Sequence, residues 1–126
     1  MDSYGSLEET RYTRHSYYSI VRKGIYEVVL EVAEVRGSCA TGYRPGDRLV
    51  IKGFYINPKE CGARICIHAL TAMMSLLSPF IHGVSAKLLG IGDRDDEGYI
   101  QCPDPGKPYT CGATVIFRVK RGRKLV

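Results

Sequence analysis

Residues 57–83, NPKECGARICIHALTAMMSLLSPFIHG, decide how the rest of the chain is read. Asn57-Pro58-Lys59-Glu60 has the form of a helix start: Asn57 caps free backbone N–H groups, Pro58 suits the first helical position and Glu60 supplies a capping carboxylate. Gly62 can break this first turn and move the start of the main helix to Ala63. Beyond it, Ile65, Cys66, Ile67, Ala69, Leu70, Ala72, Met73, Met74, Leu76 and Leu77 cover most of the cylinder. Arg64, His68, Thr71, Ser75, Ser78 and His82 recur at spacings of four and three and form one polar stripe. The pattern predicts a helix buried on most sides, with only the stripe reaching water, ended by Pro79 and Gly83. The stripe also makes the segment too polar to span a membrane.

In a regular helix Cys66 and His68 lie about 200° apart around the axis and face different ways. His68 belongs to the polar stripe and reads first as a surface or hydrogen-bonded histidine, with a proton carrier as the alternative. Cys66 belongs to the apolar face and reads as a small core residue or a functional thiol.

Outward from the helix, strand patterns lie on both sides. In residues 25–36, IYEVVLEVAEVR, Tyr26, Val28, Leu30 and Val32 face one way, and Glu27, Val29, Glu31 and Ala33 the other. The loop GSCATGYRPGD follows, and RLVIKGF (48–54) reads as a second strand antiparallel to the first. Residues 84–91 read as a third strand or an irregular return. DRDDEG (93–98) reads as a solvated acidic turn, Tyr99–Cys102 as a short strand and PDPGKP as a loop. ATVIFRVK (113–120) is a strand with Ala113, Val115, Phe117 and Val119 toward the core.

These elements predict an α+β domain: a small antiparallel sheet, curled toward a barrel, packed on one central buried helix. At 126 residues there is room for one domain. Its expected limits are residues 24–120, with an N-terminal arm over 1–23 and a basic C-terminal tail over 121–126. The arm holds a capping-box start at Ser6–Glu9 and tyrosines at 4, 12, 17 and 18, suited to packing on the body or on a neighbouring subunit.

The formal net charge is +5, but the last nine residues hold five of the eighteen basic side chains. The remainder is balanced, 13 basic against 13 acidic. Charge therefore gives no reason to expect a nucleic-acid surface on the body, and the tail reads as a frayed, solubilising end. No apolar run near the start resembles a leader segment, so a cytoplasmic location is expected. There, five cysteines read first as thiols, metal ligands or catalytic groups, and the odd count leaves at least one thiol free.

The cysteine spacings do not match a zinc ribbon: Cys61 and Cys66 form C-x4-C, Cys102 and Cys111 form C-x8-C, and Cys39 stands alone. Yet Cys39 and Cys102 sit in Gly/Pro-shaped loops at strand ends, and Cys66 sits near the start of the helix. Loops of this kind can converge on a helix N-terminus, whose positive end favours thiolate. Such a cluster suits zinc, an iron–sulfur centre, or a nucleophilic or redox thiol. Asp47 and Asp104 follow the turns beside Cys39 and Cys102, as general bases or as turn-forming residues. Phosphate-loop and serine-hydrolase motifs are missing from the sequence.

Taken in order, Cys39-Ala-Thr-Gly42-Tyr-Arg-Pro-Gly46-Asp47, Cys66-Ile-His-Ala69 opening an apolar helix, and Cys102-Pro103-Asp104 before a Val/Phe-rich last strand resemble a family of short bacterial and archaeal proteins catalogued as uncharacterised. The resemblance spans roughly residues 25–120. It implies a recurrent trio carried here by Cys39, Cys66 and Cys102, and no known activity. This chain departs from the pattern in its longer arm and in Cys61 and Cys111. A local disulfide between those two would leave the trio as thiols.

The expected function is a three-cysteine site binding zinc or an iron–sulfur centre through Cys39, Cys66 and Cys102. Its rivals are a metal-free thiol enzyme, in which Cys39 or Cys102 attacks and Asp47, Asp104 or His68 moves protons, and a non-enzymatic assembly module. A homo-oligomer is expected, without a membrane or nucleic-acid partner. The substrate, and whether there is one, is left open.

Overall fold

The structure, a computed structural model, describes residues 23–126. The expectations for the N-terminal arm fall on residues 1–22 almost entirely and lie outside the described residues.

Five strands form one antiparallel sheet in the order β3-β2-β1-β5-β4, with β1 at Tyr26–Arg36, β2 at Arg48–Lys52, β3 at Tyr55–Ile56, β4 at Glu97–Gln101 and β5 at Thr114–Lys124. The long central pair follows from alternation. Tyr26, Val28, Leu30 and Val32 are buried along β1, and Val115, Phe117 and Val119 along β5, as the period of two requires. Leu30 lies opposite Leu49 on one side and Val119 on the other, so three strands contribute to the same layer of core. Gly53, at φ +66°, turns β2 into β3. The sheet stays open, with β3 and β4 as its edges, rather than curling into a barrel. With β3 only two residues long, there is too little strand to close it.

Among the described residues one α-helix, α1 (Ile67–Ile81), contributes Ala69, Met73, Leu77, Phe80 and Ile81 to the core that the sheet begins. The spacing of four, four, three and one is a single helical face. All six residues of the polar stripe are exposed, as the sequence predicts. The burial is nonetheless narrower than expected: Ile67 and Met74 also lie in water, so the helix is covered on one side only.

The helix begins later than either Asn57 or Ala63. Asn57 does cap, accepting the Lys59 N–H at 3.1 Å, but what it caps is a single 3-10 turn at Pro58–Glu60. The Gly62 N–H then goes to the Arg48 carbonyl at 2.9 Å, tying the chain to the start of β2 and holding residues 61–66 out of the helix. Residues 84–91 form a turn-rich return rather than a strand.

The basic end is the largest departure from the sequence reading. β5 runs on to Lys124, and Arg121 is buried, its side chain 2% exposed. Its guanidinium donates to the carbonyls of Phe80 (2.6 Å), Val84 (2.9 Å) and Asp95 (2.9 Å) and to the Asp96 carboxylate (2.9 Å). It lies over the Phe80 ring at 4.4 Å and near the Tyr26 ring at 5.5 Å. DRDDEG is correspondingly only partly solvated, with Asp93 and Arg94 exposed and the residues after them turned toward the body. The Asp95 carboxylate accepts the buried Ser85 hydroxyl at 2.6 Å, and Asp96 faces Arg121.

Candidate functional site: a thiol-lined cavity at the start of the helix

The sheet registers place the end of β1, the end of β4 and the start of β5 side by side: Arg36 lies opposite Thr114, and Gln101 opposite Ile116. The loops leaving and entering these strands share one end of the sheet, and the start of α1 meets them there. Between them lies a cavity of about 350 Å³, bordered by Cys39, Thr41, Tyr43, Cys66, Cys102 and Asp104 among others. The trio read from the sequence thus borders one space, with His68 at its exposed rim.

Tyr43 fixes the junction. Its buried hydroxyl donates to the Arg64 carbonyl at 2.7 Å and accepts the Cys66 N–H at 2.9 Å. Its ring stands edge-on to Phe117, with centroids 5.5 Å apart and planes at 87°. Burial pushes its pKa up, against a lowering by the Cys66 N–H and with a further upward push from the Cys66 and Cys39 sulfurs and from Asp47. The phenol is held neutral and can donate and accept at once.

Cys66 is the N-cap of α1, with φ −80° and ψ 114°. This overturns the expectation that Cys66 and His68 face apart. Cys66 is not yet helical, so the helical angle between them does not apply, and both border the cavity. Burial works to raise the thiol pKa, but the Thr41 side chain and the N–H groups of Ala69 and His68 favour thiolate and win, leaving Cys66 below its ordinary value. The sulfur closes no capping hydrogen bond of ordinary length. Those N–H groups act instead as the nearby positive end of the helix, where the first helical backbone bond is Leu70 N–H to the Cys66 carbonyl at 3.0 Å.

The other thiols are placed differently. Cys102, 8% exposed, accepts the Val115 N–H at 3.2 Å and donates to the Ala113 carbonyl at 3.6 Å, so its sulfur is engaged by the start of β5. Cys39 is half-buried and also borders the cavity. Cys61 lies outside the cavity, accepting the Val50 N–H and donating to the Asn57 carbonyl. Cys111 is exposed, and all five cysteines are free, so Cys61 and Cys111 are not bonded to each other.

The two aspartates part company. Asp47 is not among the residues bordering the cavity; its carboxylate accepts the Arg44 N–H at 2.8 Å within the β1–β2 turn. Asp104 does border it. Its carboxyl is held below the usual range by the Thr110 hydroxyl first and then by the Gly106 and Ala113 N–H groups, against a small opposing effect of burial. A Cβ at Gly112 would lie 2.0 Å from Asp104 Oδ2. Gly112→Ala is therefore expected to push Asp104 off these donors and to lower stability by about 1–3 kcal/mol, read by chemical denaturation.

Thr41 and Tyr43 were not singled out as site residues in the sequence. The signal available was their position on either side of Gly42 in CATGYRPGD, with an aromatic ring where a loop has no core of its own. Among the described residues no three His, Cys, Asp or Glu side chains are arranged to hold a metal ion, so the metal and iron–sulfur expectations gain no support from this geometry. Among the described residues no helix is long and apolar enough to cross a membrane.

Fold and site together define a small open-sheet α+β domain with a thiol-lined cavity. No protein-family model, no curated protein and no solved structure matches the chain.

Proposed function

We infer that this is a thiol-dependent site in which Cys66 is the reacting sulfur. The observation that carries the reading is the position of Cys66: at the N-terminus of α1, on the wall of a cavity, with its pKa lowered by Thr41 and two helix N–H groups. The attacking group is then Cys66 rather than Cys39 or Cys102. Tyr43 holds the capping residue in place through the Cys66 N–H. His68, exposed at the rim, is positioned to exchange protons between the cavity and water. A cytoplasmic setting, where thiols stay reduced, suits this chemistry. The expected homo-oligomer has a suitable surface in the groove lined by Phe54, Tyr55 and Met74, of which Phe54 is 79% exposed.

The shared cavity also favours a second reading, in which Cys39, Cys66 and Cys102 hold zinc or an iron–sulfur centre after rearrangement of the Cys102 side chain. Site-resolved alkylation with limiting iodoacetamide at neutral pH separates the two. The thiol reading expects Cys66 to be modified first, ahead of exposed Cys111, because its surroundings favour the thiolate. Modification of Cys111 first, with Cys66 inert, counts against it. Stoichiometric zinc or iron in anaerobically purified protein, lost in Cys39→Ser, Cys66→Ser and Cys102→Ser, establishes the metal reading instead.

A further inference from the structure

We propose that the cavity accepts small uncharged molecules with an electrophilic carbon and turns anionic ones away; this rests on Cys66 being the reacting sulfur. Among the described residues bordering the cavity there is no lysine and no arginine. A site built for a carboxylate or phosphate substrate would be expected to carry such a cation.

The charges that are there have the wrong sign for an anion. The Cys66 sulfur is biased toward thiolate, and the Asp104 carboxyl, which also borders the cavity, is held ionised by Thr110, Gly106 and Ala113. Against these two negative groups stands the N-terminal end of α1, equivalent to roughly half a positive charge. That half charge is already turned toward the thiolate through the His68 and Ala69 N–H groups. An entering anion meets a net negative field, whereas a neutral molecule does not.

The remaining surface sets the rest of the ligand class. Ala40, Ala69, Pro103, Ala113 and Val115 give the cavity apolar walls, and about 350 Å³ is near the lower end of ligand pockets, which run from roughly 300 to 1,000 Å³. A short apolar group fits beside the sulfur. In the reaction, the Cys66 thiolate forms the sulfur–carbon bond, and the leaving group departs with the pair of electrons from its broken bond to that carbon. His68 or water then supplies a proton where the leaving group needs one.

The pair iodoacetamide and iodoacetate tests this directly, because the two differ in charge and hardly in size. In both, the sulfur–carbon bond replaces the carbon–iodine bond and iodide leaves with the electrons. Rates are measured at Cys66 by peptide mass spectrometry in the intact chain, with a small free thiol and exposed Cys111 as references. The neutral-to-anionic ratio at Cys66 is expected to exceed that of the free thiol by about fivefold. It should narrow at about 1 M salt, where the screening length is ~3 Å, and in Asp104→Asn.

A Cys66 ratio equal to or below that of the free thiol overturns the proposal while leaving the reactive thiol intact. A Cys66 that reacts with neither reagent overturns the thiol reading and the proposal with it. If Asp104→Asn does not fold, the salt series on the unaltered protein decides the matter: a ratio that does not move with salt contradicts the electrostatic selection.

Discussion

Arg121→Ala is expected to destabilise the domain by about 3–5 kcal/mol, a fall of roughly 10–20 °C in melting temperature for a chain of this size. The side chain closes the far end of the core from the cavity. It donates to three backbone carbonyls at the end of α1 and in the return that follows, pairs with Asp96, and stacks on Phe80. Truncation would strip the carbonyls of Phe80, Val84 and Asp95 of these donors, at about 1–3 kcal/mol for a buried group left unpaired. It also opens a void beside Phe80 and Tyr26, both buried. Arg121→Lys keeps the charge but replaces the planar fork by a single ammonium, which cannot reach all these acceptors, so an intermediate loss is expected. Arg121→Met keeps much of the stem and separates packing from polar contacts. Thermal and denaturant unfolding of the three variants gives the ranking. Losses under 1 kcal/mol for Arg121→Ala would show that the end of β5 behaves as the free tail its composition suggests.

That contrast shows where the sequence was legible. The inward series Val115, Phe117, Val119 continues in phase to Arg121, so period two alone places this arginine in the core. The run of basic residues around it hid that phase, because arginine is rarely buried without partners and its partners, in the DRDDEG turn and at the end of α1, lie 25 and 41 residues away in sequence. β1 and β5 were readable because alternation is local information. The start of α1 was not, because Gly62 is held by the Arg48 carbonyl, a contact that no local pattern contains. The same late start moved Cys66 from the helix face to its N-cap and brought it to the cavity beside His68.

The open sheet was legible as antiparallel but not as open, since closure depends on how few residues β3 contributes. The three cysteine-bearing segments, read as loops able to converge on a helix start, border one cavity. What the sequence did not distinguish was their division of labour: Cys102 hydrogen-bonded to the start of β5, and Cys66 under the influence of Thr41 and the helix end.

The direction of the Cys66 shift has a consequence for stability. A thiol whose folded-state pKa lies below its unfolded value of ~8.5 stabilises the fold fully above that value, and loses the contribution as pH falls through the folded-state pKa. The same depression is visible in the thiol itself. Thiolate ultraviolet absorbance, titrated in the folded protein and in Cys66→Ser, isolates Cys66 as the difference between the two curves. A difference step with its midpoint below ~8.5, moving upward in Thr41→Val, is the expected result. A Cys66 step at or above the ordinary thiol value would contradict the claim that this cavity is built around an activated sulfur.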